Sequence, residues 1–352
     1  MSTTTVTPPQ TAAISLLHSD IIESHILTRL DGQTLASASC VTSTLHSMTE
    51  NDLMWSNVCR STWPSTSGEL VSGIIDSFSS DRNGPRAFFA QAFPLPSPDP
   101  TKATTTWSSV SWPQCNKLGK LTPKGLISAV DIYYKNKLIF TKVEETETIS
   151  SWFLCSPFRI DLLDPKDMVP IEIPYPDEDD TCKLLIDDIT LSWILIDPNA
   201  KRAINLSSHK PVSVQRHWLS GEVQVRFASI LAGGDHKYTS DATTVVRCGI
   251  VVTCGRSESG DMQVIRELSM EVEDMDGKHL NGRDSLVILQ RTMEGKRGNG
   301  VNREIEAKNR DNKFEEMKRE RADKKLRLEG TLDNLSVAFG LSIFAGLFFV
   351  FY

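Results

Sequence analysis

The sequence predicts a multidomain α+β chain. It has an N-terminal three-helix module, a central antiparallel, sandwich-like β domain, a charged helical stalk and a single C-terminal transmembrane helix. Three observations carry this. Apolar residues recur at helical spacing between residues 14 and 63. Runs rich in β-branched and aromatic residues, separated by turn signals, fill residues 120–292. From Leu335 the last eighteen residues carry no charge, and eleven of them are Leu, Ile, Val or Phe.

Residues 1–13, "MSTTTVTPPQTAA", are polar and are expected to be disordered. They hold no Lys or Arg and no apolar core, so they do not form a secretory signal. Between residues 14 and 63, Ser19 is a candidate cap with Asp20 in the first turn, and Ile22, Ile26, Leu27 and Leu30 fall at helical spacing. Asp31-Gly32 reads as the stop of this first helix, and Thr34 as the restart of a second carrying Leu35, Ala38 and Val41. After a break near Thr42-Ser43, the last turns carry Leu53, Trp55 and Val58, and Trp63-Pro64 closes the segment.

Residues 64–119 are rich in Ser, Pro and Thr and read as a linker, with a short helix near residues 68–78 and an aromatic patch at Phe88, Phe89 and Phe93. Residues 120–292 read as a target-binding β domain of seven to nine strands. Lys135-Asn136 joins two runs as a hairpin turn, and Asp197-Pro198-Asn199 joins two more. In "EVQVRFASIL", Val223, Val225 and Phe227 face one way, Gln224 and Arg226 the other. "SLVILQRTM" is the helical exception.

Residues 293–332 form the stalk. Between Lys296 and Glu329 there are twelve Lys and Arg against eight Asp and Glu, a local excess of +4 in a chain of net charge −7. Opposite charges three and four apart predict a solvated helix. Residues 333–352 follow as the span, with Leu335, Phe339, Leu341, Phe344, Leu347, Phe348 and Phe351 facing lipid. A helix of that length reaches ~27 Å at ~1.5 Å per residue, near the thickness of a thin bilayer. Six basic residues precede the span and none follows, which predicts a tail-anchored, single-pass protein with its N-terminal domains in cytosol or nucleoplasm. The endoplasmic reticulum or nuclear envelope is the expected membrane, and membrane lipid the expected partner.

Composition excludes several classes. Acidic net charge gives no reason to expect nucleic acid as a partner. Seven irregularly spaced cysteines, without a Cys-x-x-Cys pair, predict free thiols rather than a metal site or disulfide framework. The acidic run Asp177–Asp180 lacks the glycine and terminal Glu of a calcium loop. His209, His217 and His236 are scattered, and no P-loop, dinucleotide or nucleophile-elbow motif occurs. No enzyme, cofactor, catalytic residue or metal is expected. Trp152, Trp193 and Trp218 offer an alternative reading, a membrane-tethered lectin-like or scaffold module.

The segment "ISLLHSDIIESHILTRLDGQTLASASCVTSTLHSM" resembles an F-box, the helical motif that docks on the Skp adaptor of cullin-based ubiquitin ligases. Leu17, Asp20, Ile26, Leu27 and Leu30 match its first helix, and Leu35, Ala38, Val41 and Ser43 its second stretch. Asp52 and Trp55 match its close. His18 stands where Pro is usual and Leu45 where many members have Trp. Further stretches, "LISAVDIYY", "ETISSWFLCSPFRIDLLDP" and "LSWILIDP", resemble a plant group that includes cytokinin-induced F-box proteins with a membrane tail. The resemblance implies a non-catalytic substrate-recognition subunit. Its Skp-type adaptor, and through it cullin, would be held by Leu17, Asp20, Ile22, Ile26, Leu27, Leu30, Leu35 and Val41. The β domain would bind an unknown protein target.

Overall fold

The computed structural model describes residues 18–78, 84–96, 123–164, 166–175, 179–233, 245–257, 262–298 and 302–351. The expectations for residues 1–13 and Leu17, and half of the linker, lie outside them. The chain divides into two compact units, Met1–Ala90 and Gln91–Tyr352.

The first unit is helical. An α turn Ser19–Ile21 passes into a π turn Ile22–Ile26 and a 3-10 turn Leu27–Arg29, and helices Gly32–Ser39, Ser43–Met48 and Asp52–Thr62 follow. Side-chain caps set their starts. Asp31, Thr42 and Asn51 accept from the amides of Thr34, Leu45 and Leu53 at 2.9, 3.1 and 3.0 Å. Asp31-Gly32 is thus the start of a helix rather than a stop. The carboxyl of Asp31 is held below its ordinary pKa chiefly by the Thr34 amide.

The core of this unit is aromatic. Trp55, Trp63, Phe88 and Phe89 are all buried. Trp63 meets Phe88 edge-on at 6.0 Å, and Trp55 lies 5.5 Å from Phe89. Trp55 Nε1 donates to the Thr49 carbonyl at 2.7 Å, which satisfies the indole inside the core. The patch at Phe88 and Phe89 is therefore interior, and it comes from a helix, Gly84–Ala92, beyond the three-helix stretch.

The second unit is built on two antiparallel sheets. Strands are β1 (Gly125–Tyr134), β2 (Lys137–Glu147), β3 (Arg159–Asp161), β4 (Val169–Pro174), β5 (Ile189–Asp197), β6 (Arg202–Asn205), β7 (Ser213–Arg216), β8 (Val223–Ala232), β9 (Val245–Arg256) and β10 (Met262–Glu273). One sheet has the order β2-β1-β5-β6, the other β3-β10-β9-β8-β7 with β4 also on β10. Lys135 and Asn136 both have positive φ, +48° and +63°, which makes the two-residue hairpin between β1 and β2 a primed turn. Val130, Trp193 and Leu195 from one sheet and Val225, Phe227 and Ile250 from the other share one hydrophobic core. Trp193 Nε1 donates to Ser128 Oγ on the neighbouring strand at 3.1 Å. "SWFLC" is helical, Ser151–Cys155, not a strand; Ser150 caps it through the amide of Phe153 at 3.1 Å. Helix Gly282–Glu294 buries Leu286, Ile288 and Leu289 in the same core.

The C-terminal helix Arg303–Phe351 runs 49 residues without a break. Two expectations fail on it. Its first half is not a solvated stalk: Ala307 and Phe314 are buried, and Phe314 packs with Ile230 of β8 and with Met275. Nor is its last part a transmembrane helix. Among the described residues, no helix is long and apolar enough to cross a membrane. The uncharged part, 335–351, spans ~26 Å at ~1.5 Å per residue, short of the ~30 Å hydrocarbon layer. Ser336, Ala338, Gly340 and Ser342 dilute it further. The roles assigned to Leu335, Phe339, Leu341, Phe344, Leu347, Phe348 and Phe351 therefore fall. So do membrane lipid as a partner, the single-pass tail anchor, and the endoplasmic reticulum or nuclear envelope as its location.

Candidate functional site

Two surfaces stand out, one on each unit. On the helical unit, the residues expected to bind a partner separate by burial. Ile22, Leu27 and Leu35 are interior, and Leu30 is half-buried. Asp20 and Ile26 are exposed, and Val41 is 71% exposed in the turn between helices Gly32–Ser39 and Ser43–Met48. Leu53 is 74% exposed, although Trp55 and Val58 on the same helix are buried. Its spacing of two from Trp55 was the available signal, because positions two apart on a helix do not share a face. Ile21 is exposed as well. The Asn51 side-chain amide donates to Glu23 Oε1 at 3.1 Å, which ties the start of helix Asp52–Thr62, carrying Leu53, to the π turn carrying Ile26. Arg86 stacks over Trp55 at 5.7 Å and donates to Ser39 Oγ at 3.1 Å, holding the second helix on the aromatic core. What results is a set of large apolar side chains in water, on short capped helices fixed from beneath. Such a surface can bury area against a partner; it offers no chemistry.

On the β unit, the outer face of the six-stranded sheet meets the long helix along a groove of ≈ 900 Å³. Alternation along the strands sets its floor. Val223, Val225 and Phe227 are buried inward, as their period of two predicts, which turns Arg226 and Ala228 outward. Ala228 pairs with Gly249 of β9, and Gly249 with Glu271 of β10. A β-carbon added to Gly249 would meet no atom within 4 Å, so the floor is open there.

The helix wall carries Asp311, Asn312, Glu315, Glu316 and Arg319. Arg247 of β9 fastens it. Its guanidinium pairs with Glu273, with Asp311 at 3.3 Å and with Glu315, and lies 5.1 Å over the Phe314 ring. Burial opposes the charge on Arg247, but Glu273, Asp311 and Glu315 hold its pKa above the ordinary value. Burial pushes the Asp311 carboxyl up, against the pull of Arg247. Further along, Lys318 reaches Glu273 at 3.3 Å and Arg321 reaches Asp276 at 3.6 Å.

The remaining expected features do not come together. Trp193 is fully buried, while Trp152 and Trp218 are 82% and 87% exposed. His209 is neutral in its setting: burial, then Arg303 and Lys210, bring its pKa down to about 3. His236 lies outside the described residues. Cys248 and Cys254 are both interior on β9, and burial pushes each thiol up to about 12. No group of three metal-ligating side chains occurs among the described residues.

Relatives with this sequence pattern carry one family name. The chain is 49% identical to a probable F-box protein of Arabidopsis thaliana, over 94% of this chain and 91% of the relative. It is 41% identical to a second Arabidopsis F-box protein, covering 93% of this chain and 87% of that one. A third Arabidopsis F-box protein is 40% identical over 94% of each chain. No protein-family model matches the chain. No solved structure matches it.

Proposed function

The chain belongs to the F-box protein family, and from that premise we propose that it is the substrate-recognition subunit of a Skp-cullin-F-box ubiquitin ligase. The observation that carries this is the likeness to named F-box proteins across almost the whole length, not only across the helical unit. The helical unit docks on a Skp-type adaptor, and through it on cullin. The β unit selects the protein to be modified. The chain itself performs no transfer chemistry.

In this reading seven of the eight adaptor-binding residues divide between two roles. Asp20, Ile26 and Val41, with Leu53 added, touch the adaptor. Ile22, Leu27, Leu30 and Leu35 hold the short helices in place from inside. Leu17 lies outside the described residues.

The test is adaptor capture. Val41→Asp with Leu53→Asp places two charges on exposed positions, which leaves the aromatic core untouched. Adaptor binding is expected to fall by at least about tenfold, since a desolvated apolar anchor is worth ~2 kcal/mol or more. Unchanged capture of adaptor and cullin by the double variant would overturn the assignment of this surface. Failure of the wild-type chain to capture adaptor at all would overturn the ligase role.

A further inference from the structure

We propose that the helix Arg303–Phe351, beyond Arg321, winds in parallel around the same segment of a second copy of this chain, along a seam made by Leu328, Leu332, Leu335 and Phe339. This goes beyond the proposed function and does not rest on it.

Three observations support the pairing. The first is an apolar surface that the chain by itself leaves in water. Arg321 reaches Asp276 at 3.6 Å. Among the described residues, no later ion pair or hydrogen bond joins the helix to another element; the later side-chain bonds stay within it. Residues 322–351 extend ~45 Å at ~1.5 Å per residue. From Leu326 to Leu347, ten large apolar side chains among the described residues are about half exposed or more. At ~100 Å² for each, this surface comes to ~1,000 Å². An ordinary monomer shows a largest patch of ~300–600 Å², and each partner of a standard interface buries ~800 Å².

The second is the period. Leu328, Leu332, Leu335 and Phe339 follow one another at steps of four, three and four, the alternation of the d and a positions of a coiled coil. All four are 62–70% exposed. Lys325, one step before Leu328, takes an a position. A single Lys at such a position fixes register and strand number.

The third is charge complementarity. In a parallel pair, the residue just before an a position faces, across the seam, the residue five further on in the second copy. Lys324 and Glu329 stand in those two places, and both are exposed. Parallel pairing therefore brings each Lys324 to Glu329 of the second copy. Antiparallel pairing about the centre of the seam would lay Lys324 against Ile343, in the uncharged end of the helix. The pattern is complementary to itself, which selects a second copy as the occupant.

The experiment uses the full-length chain. Sedimentation equilibrium at micromolar concentration is expected to give twice the mass of one chain. Leu332→Asp with Leu335→Asp should weaken association by at least about a hundredfold, since it puts four charges into the seam of each pair. Both positions are in water in the single chain, so the fold is kept, which circular dichroism checks. Lys324→Glu should weaken association by about threefold or more, and adding Glu329→Lys should restore it. Orientation is read by cross-linking, with Cys40→Ser, Cys115→Ser and Cys155→Ser as background. Leu335→Cys should form a disulfide with its own copy, and Leu326→Cys, off the seam, should not. A dimer unchanged by the two Asp substitutions, equal cross-linking at both positions, or a double charge reversal that fails to restore association would overturn the seam. A monomer in wild type would overturn the pairing; if that monomer floats with phosphatidylcholine vesicles, lipid covers the surface instead.

Discussion

Gly32 lies against the edge of the Phe89 ring, so closely that a β-carbon on Gly32 would sit 2.1 Å from Cζ. The contact joins the first turn of helix Gly32–Ser39 to helix Gly84–Ala92, fifty-seven positions on. It explains a glycine at a helix start, where a longer residue is usual, and it places the later helix inside the same core.

Gly32→Ala therefore has an unusual expected sign. Helix propensity alone would favour alanine by ~1 kcal/mol. Here the methyl group has no space, and overpacking costs ~1–3 kcal/mol. Chemical denaturation of the full chain should show a net loss from this substitution. A gain in stability would mean that Phe89 moves aside freely and that the packing is loose.

What the sequence disclosed, and what it hid, divides along this line. The primed turn at Lys135-Asn136, the inward face of Val223, Val225 and Phe227, and the close at Trp63-Pro64 all depend on neighbours in the chain. Each was legible from spacing or turn chemistry. Phe88 and Phe89 were placed in a linker, because nothing local says that Trp55 and Trp63 await them. Asp31-Gly32 read as a stop, since Asp-Gly is a stop signal until the amide of Thr34 is seen on the Asp31 carboxylate. The charged helix read as solvated because its apolar contacts, Ala307 and Phe314, are two positions among many charged ones. The exposed Val41 and Leu53 could not be separated from buried Leu27 and Leu35 by residue type alone. The groove left no motif, because its lining comes from strands and a helix that lie far apart in the sequence.

Arg247 is expected to be the costliest single polar position in the β unit. Arg247→Met leaves Glu273, Asp311 and Glu315 without their shared cation, and breaking a buried pair from one side costs ~3–5 kcal/mol. The loss should depend on pH. Burial already holds the Asp311 carboxyl above its ordinary pKa, and removing Arg247 takes away the opposing pull. The folded state then keeps its proton to higher pH than the unfolded chain does, so the variant regains stability as pH falls toward the carboxylate range. Denaturation at two pH values checks this. A deficit independent of pH would mean that the carboxylates rehydrate by releasing the helix.

His209 should make the wild type acid-sensitive in a higher window. Its pKa is brought down to about 3, first by burial, then by Arg303 and Lys210. The Glu304 carboxylate stands 3.7 Å from Nε2, but Lys210 also pairs with it at 3.6 Å. That leaves little to offset burial. The unfolded chain takes up a proton near pH ~6.5, well before the folded one. The contribution is thus complete above that value and is lost as pH falls toward 3. His209→Gln should flatten this part of the stability curve. An imidazole that titrates near its ordinary value by NMR in the folded chain would refute the assignment.

Arg297 tests whether a guanidinium can act as a clamp on backbone carbonyls. It donates to the carbonyls of Thr292, Met293 and Gly295 at the end of helix Gly282–Glu294, at 2.8, 3.0 and 2.8 Å. It also donates to Gln91 and Ala203, at 2.9 and 3.0 Å. Burial, with Arg202 adding, lowers its pKa to about 10, so it remains charged at neutral pH. The carbonyl dipoles of a helix end favour a cation there. Lysine keeps the charge but offers three donors from one point, which cannot reach five carbonyls in different directions. Arg297→Lys should therefore lose ~2–3 kcal/mol, the scale of a lost charged hydrogen bond with its buried acceptors left open. Hydrogen exchange should quicken at residues 91–96, whose Leu95 carbonyl accepts from the Gly298 amide at 2.9 Å beside the clamp. If the lysine variant matches wild type in both measurements, charge alone suffices and the five-carbonyl geometry contributes nothing.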